Sequence, residues 1–168
     1  MNRPQLVMGT WLAAAALALA GCGGGPAATA TPGATATTAP VATTPAAGTT
    51  TVNVTLQEFS VLPDVTSAAA GEITFSVTNT GPNDVHEFVV IQTDLAPDAL
   101  PTDANGVVDE SGGGMTVIDE IEDLAVGATE DLTVTLAAGN YALICNIFDE
   151  DENEAHYQMG MYSAFTVE

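Results

Sequence analysis

From Thr51 onward, apolar and polar residues alternate with a period of two. Val52, Val54 and Leu56 alternate with polar neighbours, as do Ile73, Phe75 and Val77, and Leu132, Val134 and Leu136 alternate with Thr133 and Thr135. Successive side chains of a strand point to opposite faces, so each of these runs predicts a strand with one buried face. Phe88-Val89-Val90-Ile91 is apolar throughout, which predicts a strand covered on both faces. Tyr141-Ala142-Leu143-Ile144 and Phe165-Thr166-Val167 complete the set. Breakers separate the runs: Pro63, Gly71, Gly81-Pro82-Asn83, Pro97, Pro101, Gly112-Gly113-Gly114, Gly127 and Gly139-Asn140. About seven short strands without a long helical period predict an all-β, antiparallel β-sandwich. The Pro-, Gly- and Asp-rich stretch from Asp94 to Gly114 reads as a long excursion with a helical turn.

The pattern before Thr51 is different. Arg3 precedes an Ala-rich apolar run from Trp11 to Ala20, too short for a comfortable membrane span and followed by small residues. This predicts an export signal over residues 1–21. Leu19-Ala20-Gly21-Cys22 is similar to the processing site of bacterial lipoproteins, which implies an acylated Cys22; an ordinary secretory signal with a chance Cys is the alternative. Acyl chains contribute roughly 0.8 kcal/mol per buried methylene, so several on one Cys would hold the chain to a bilayer. The expected address is the extracytoplasmic (periplasmic) face of the cell membrane. Residues 22–50 are, after Cys22, Gly, Ala, Thr, Pro and Val without a single charge, and predict a flexible tether rather than a core. The folded domain is expected over 51–168.

Charge then narrows the partners. All 22 Asp and Glu follow Cys22, and Arg3 is the only Lys or Arg, so removing the signal takes the formal charge of −21 one unit lower. Such a surface repels nucleic acid and anionic lipid. It would steer a basic partner, or simply keep the protein soluble.

Cysteine usage brings in chemistry. With Cys22 assigned to lipid, Cys145 has no disulfide partner in an oxidising compartment, so it is either deeply buried or bound to metal. The chain has two His residues. His86 opens the apolar strand, and His156 lies in the loop after the strand that ends at Cys145, with Met161 five residues on. One thiol, two imidazoles and a thioether fit the ligand set of a copper ion that changes oxidation state without changing geometry. No phosphate-binding loop, zinc spacing or Ser/His/Asp arrangement stands out.

These residues carry a family resemblance over Thr51 to Glu168. His86-Glu87-Phe88, Gly139-Asn140-Tyr141-Ala142-Leu143-Ile144-Cys145-Asn146 and His156-Tyr157-Gln158-Met159-Gly160-Met161 resemble the copper-binding segments of the cupredoxins (plastocyanin, azurin and sulfocyanin relatives). The resemblance implies a Greek-key sandwich and one copper ion, with His86, Cys145 and His156 as equatorial ligands. It implies Met161 as the axial ligand, with Met159 as a rival. It further implies one-electron transfer rather than enzymatic turnover, with a redox partner such as a cytochrome or an oxidase that presents a basic docking face. Copper delivery without redox turnover is the second reading, and a metal-free binding module the third.

One departure from the family pattern is plain. Ten residues, Asn146 to Ala155, separate the ligand Cys from the next ligand His, where relatives have only a few. Asp149, Glu150, Asp151, Glu152 and Glu154 make this insertion acidic, and carboxylates near copper should favour Cu(II) over Cu(I). The Asp149-x-Asp151-x-Asn153 start is like a calcium loop, but Glu154 replaces the sixth-position Gly and Gly160 the twelfth-position Glu.

Overall fold

A computed structural model describes residues 49–168. The signal peptide expected over residues 1–21, Cys22 and the tether expected beyond it lie, up to residue 48, outside the described residues. The described residues form eleven strands: β1 (Thr50–Gln57), β2 (Ser60–Pro63), β3 (Ser67–Ala68), β4 (Gly71–Asn79), β5 (His86–Thr93), β6 (Met115–Leu124), β7 (Thr129–Leu136), β8 (Gly139–Ile144), β9 (Phe148–Asp149), β10 (Glu154–Ala155) and β11 (Tyr162–Val167), of which β1, β4, β5, β7, β8 and β11 are the runs read from the sequence. One sheet has the order β2-β1-β4-β7 and the other β3-β11-β8-β5-β6, so the chain repeatedly changes sheets. Most pairings are antiparallel; β1 with β4 and β3 with β11 run parallel.

The period of two does the sorting. Val52, Val54, Leu56, Ile73, Phe75, Val77, Leu132, Val134 and Leu136 point inward from the first sheet. They meet Phe88, Val90, Tyr141, Leu143, Phe165 and Val167 from the second. Phe75 sits at the centre, with ring centroids 5.4 Å from Phe88 and 5.5 Å from Phe165. Outward threonines pair across β4 and β7, with Thr74 to Thr133 and Thr78 to Thr129 hydroxyl contacts of 2.8 Å each.

The second sheet is covered on its other face too, as the apolar runs predict. Val89, Ile91, Ala142 and Ile144 pack against Leu100, Val108 and Tyr157. The cover is the 94–114 excursion, and Tyr157 pins it: its hydroxyl accepts the Leu100 N–H (2.9 Å) and donates to the Pro97 carbonyl (2.7 Å). The excursion contains turns and one bridge, Thr102 to Val108, and no helical turn among the described residues. Backbone polar groups there find partners in the sheet and its loops instead, as with Asn146 and Val108.

β6 is a strand that the polarity pattern hides. Its Asp119-Glu120-Ile121-Glu122-Asp123 run shows no strand pattern, yet it pairs along β5 at the sheet edge. Charged side chains on an edge strand are tolerated because one flank faces water, and they discourage pairing with other chains. Between His86 and Phe88 the register slips, so β6 carries one extra residue opposite the start of β5, and Asp123 adopts φ 51°. Bulges of this kind are frequent beside functional sites.

Candidate metal centre

His86 opens β5 on its inward face, and Cys145 is the first residue after β8, the neighbouring strand. The Cys145 N–H donates to the Met161 carbonyl at 3.0 Å, continuing the β8–β11 ladder past its end. His156 arrives from the far side of the insertion, and the ten-residue separation proves short in space. The insertion folds as a hairpin, with Phe148 opposite Ala155 and Asp149 opposite Glu154, and the His156 N–H donates to the Ile147 carbonyl at 2.9 Å. The hairpin therefore leaves and returns at one place, and Cys145 and His156 stay neighbours. Asp149 is used inside its turn, accepting the Asp151 and Glu152 N–H groups (2.7 and 3.0 Å). The acids of this hairpin do not converge as metal donors; among the described residues the groups that do are His86/Cys145/His156 and Glu87/Glu110/Glu120.

The three sequence-predicted donors meet. His86 Nδ1 lies 3.2 Å from His156 Nδ1, and Cys145 Sγ lies 3.8 Å and 3.5 Å from these two nitrogens. Taking zinc's bond lengths of 2.0–2.1 Å to nitrogen and 2.3 Å to sulfur as a guide, three donors around one ion in a plane sit roughly 3.5–3.8 Å apart. The fit is close. Two imidazole lone pairs at 3.2 Å repel unless a proton or a cation lies between them. All three residues are buried, none exposed by more than 1 %.

Met161 is fully buried beside Cys145 in the same core cluster, whereas Met159 is 46 % exposed. Between them Gly160 takes φ 111°, a conformation that side-chain-bearing residues avoid, so the loop can turn back from His156 into β11. The Met161 N–H donates to the His156 carbonyl at 3.1 Å and closes that turn.

Charge states match the geometry. Burial depresses His86, with His156 adding to the effect and Glu58 and Asp84 opposing it. Burial also depresses His156, against the pull of Asp84 and Asp149. Both rings are thus neutral, with a lone pair to give. Burial pushes the Cys145 thiol up to about 12, although the Glu87 N–H donates to its sulfur at 3.3 Å. The thiol sheds its proton at neutral pH only to a cation that binds sulfur strongly, so loading the site releases a proton.

Several supporting residues were invisible in the sequence. Phe59, in the β1–β2 turn, sets its ring edge-on to His156 with centroids 5.3 Å apart. Its neighbour Glu58 accepts the Asn83 and Asp84 N–H groups (2.8 and 2.6 Å) and comes within 4.0 Å of His86 Nε2. Burial would raise the Glu58 carboxyl, but these two N–H groups and the adjacent His86 bring it below its usual value. Asn146 stitches the ligand loop to the excursion, accepting the Val108 N–H (2.7 Å) and donating to the Val108 carbonyl (3.1 Å) and Glu110 (2.9 Å). Sequence spacing carries no signal for such contacts, because each joins segments that only the sheet order brings together. Over His156 lies a recess of about 450 Å³ lined by Asp84, Val85, Asp123, Phe148 and Asp149.

Glu87 faces away from the core and meets Glu110 and Glu120. Burial, then Glu120 and Glu110, raises its carboxyl from the usual 4.5 to about 7. A carboxyl raised on folding contributes fully below its unfolded value near 4.5, and the contribution is lost as pH climbs through 7. Glu87→Gln should therefore stabilise the metal-free protein at pH 8, by about 1–2 kcal/mol once solvent screening of this half-buried carboxyl is allowed for, and have almost no effect at pH 4. Urea unfolding at the two pH values measures this, and an equal effect at both would refute it.

No family model matches the chain, and no curated protein matches it. Solved structures do. The crystal structure of dithionite-reduced auracyanin from the photosynthetic bacterium Roseiflexus castenholzii superimposes with a TM-score of 0.51 at 24 % identity, covering 71 % of this chain and 97 % of that one. Auracyanin A, a "blue" copper protein from Chloroflexus aurantiacus, gives 0.47 at 23 % identity, covering 72 % and 100 %. Rusticyanin from Thiobacillus ferrooxidans gives 0.49 at 17 % identity, covering 73 % and 79 %. The likeness to the Roseiflexus protein shows the fold: the described domain is a β-sandwich of the cupredoxin type.

Proposed function

We propose that this chain is a type 1 (blue) copper electron-transfer protein. The observation that carries the reading is the convergence of His86 Nδ1, His156 Nδ1 and Cys145 Sγ within 3.2–3.8 Å of one another in a fully buried site. Bound there, copper supplies a one-electron couple between Cu(II) and Cu(I). The chain supplies the rest. Two neutral imidazoles and a thiolate offer donors suited to both oxidation states, and strands on both sides keep them from moving. Met161, buried next to Cys145, would be the weak axial ligand in preference to exposed Met159. With Met161 as a fourth donor no ligand position would be left for a substrate, which supports electron transfer without enzymatic turnover.

Adding Cu(II) to the metal-free protein should give one copper per chain and an intense thiolate-to-copper band in the visible. A colourless Cu(II) complex would overturn the assignment. Met161→Leu should shift that band and the reduction potential, while Met159→Leu should leave both unchanged. The reverse outcome would transfer the axial role to Met159.

Copper delivery remains the rival reading. A pinned acidic hairpin and a ligand set exposed by no more than 1 % favour retention of the metal over its exchange. We place the domain outside the cytoplasm, held to the membrane through Cys22 and its tether. The acid-lined recess over His156, with Asp84, Asp123 and Asp149, supports a redox partner with a basic face, such as a cytochrome or an oxidase.

A further inference from the structure

The β1–β2 turn reaches the metal centre from outside the ligand set. It places Phe59 against His156 and Glu58 against His86, so one short segment braces both imidazoles. Of these two contacts, the second has chemical consequences. His86 Nε2 is fully buried and has no hydrogen-bond partner, and Glu58 Oε2 is likewise buried and unpartnered. The other Glu58 oxygen is fixed by the Asn83 and Asp84 N–H groups and lies 4.0 Å from His86 Nε2. Buried polar atoms rarely stay unpaired, and here two of complementary character belong to neighbouring side chains. The separation is roughly 1 Å longer than a hydrogen bond, a gap that a small rotation of the carboxylate or the ring closes. Asn83 and Asp84 lie in the loop that leads directly into His86, so Glu58 also sets where β5 begins.

We propose that Glu58 is the positioning residue for His86: its carboxylate accepts a hydrogen bond from Nε2–H and so holds the ring in the tautomer that presents Nδ1 to the metal. Neutral histidine carries its proton on either nitrogen, and the partner of one nitrogen decides which is free to ligate. With Nε2 protonated, His86 Nδ1 is an acceptor, and the 3.2 Å contact then requires His156 to donate from its own Nδ1 in the metal-free protein. The two histidines therefore differ before metal arrives: His86 is ready to bind, and His156 must exchange its Nδ1 proton for one on Nε2. A buried carboxylate behind His86 also makes that ring a stronger donor and favours the more highly charged oxidation state of the metal.

The assignment rests on the copper reading of the site, but its first test needs no copper. Long-range ¹⁵N–¹H correlation on the metal-free full chain should show His86 protonated at Nε2 and His156 at Nδ1. In Glu58→Gln, which keeps an acceptor for Asn83 and Asp84, His86 should become a mixture of tautomers, and Glu58→Asp should restore the native pattern. In the copper-loaded chain Glu58→Gln should raise the reduction potential and weaken Cu(II) binding by about 10–100-fold, with Glu58→Asp closer to native. A native His86 that carries its proton on Nδ1 overturns the proposal, even if neither variant folds. So does a Glu58→Gln protein with native tautomer and native potential. If the native chain takes up no copper, the functional reading fails, while the tautomer measurement still decides the role of Glu58.

Discussion

Replacing Cys145 by serine is expected to abolish the visible copper band and to weaken Cu(II) binding by more than the 10–100-fold typical of losing an outer support. The band arises from electron density moving from sulfur to copper, and a serine hydroxyl has neither the soft donor orbital nor an accessible proton loss at neutral pH. The substitution is close to isosteric in a site where Cys145 is fully buried, so the sandwich should remain folded. Visible absorption and copper analysis read the loss, and circular dichroism shows that the fold persists. A folded variant that keeps the intense band would refute the role of the thiolate.

The second large effect is on stability. Phe75→Ala is expected to cost about 3–5 kcal/mol, because it removes a fully buried ring from a close-packed core. Phe75 belongs to β4 but touches Phe88 of β5 and Phe165 of β11, so its ring couples the two sheets. Phe88 lies two residues beyond His86 on the same face, and a cavity there should loosen the metal site along with the core. Domains of this size are stable by only about 5–15 kcal/mol, so the variant should be close to unfolding without metal. A fall in the urea midpoint with an unchanged slope measures the cost. A loss below about 1 kcal/mol would mean that the site collapses around the cavity far more readily than buried aromatics do.

Much of the sandwich was legible in the sequence. β1, β4 and β7 bury one face each, and a period of two shows this directly in Val52 to Leu56, Ile73 to Val77 and Leu132 to Leu136. The unbroken apolar run of β5 announced a cover on both faces, although not what the cover was. β6 escaped notice because an edge strand with one wet flank can carry as many acids as a loop. β2 and β3 are too short for any period to show. The two parallel pairings were equally hidden, since alternation reports which face is buried and not which way a neighbour runs.

For the site, scarcity did what spacing could not. With two histidines in the chain and Cys145 the one cysteine after Thr51, the residue types already named the donors His86, Cys145 and His156, and the structure brings all three together. The acidic insertion was the weak link in that reasoning. It puts ten residues between Cys145 and His156, and a linear count treats that as distance, whereas a hairpin closed by the His156–Ile147 hydrogen bond cancels it.

The sequence by itself determined the strand-forming alternation, the charge and the identity of the donor atoms, because these depend on residue types and on a local repeat. Only the tertiary structure decided which methionine is buried, which segment shields the second sheet, and that Glu58 and Phe59 stand behind the two histidines. Those contacts join residues as far apart as Phe59 and His156, and they exist because sheet order and register bring the β1–β2 turn to the start of β5 and the end of β8. No local pattern encodes that proximity; it follows from the one packing that buries both sheets' apolar faces at once.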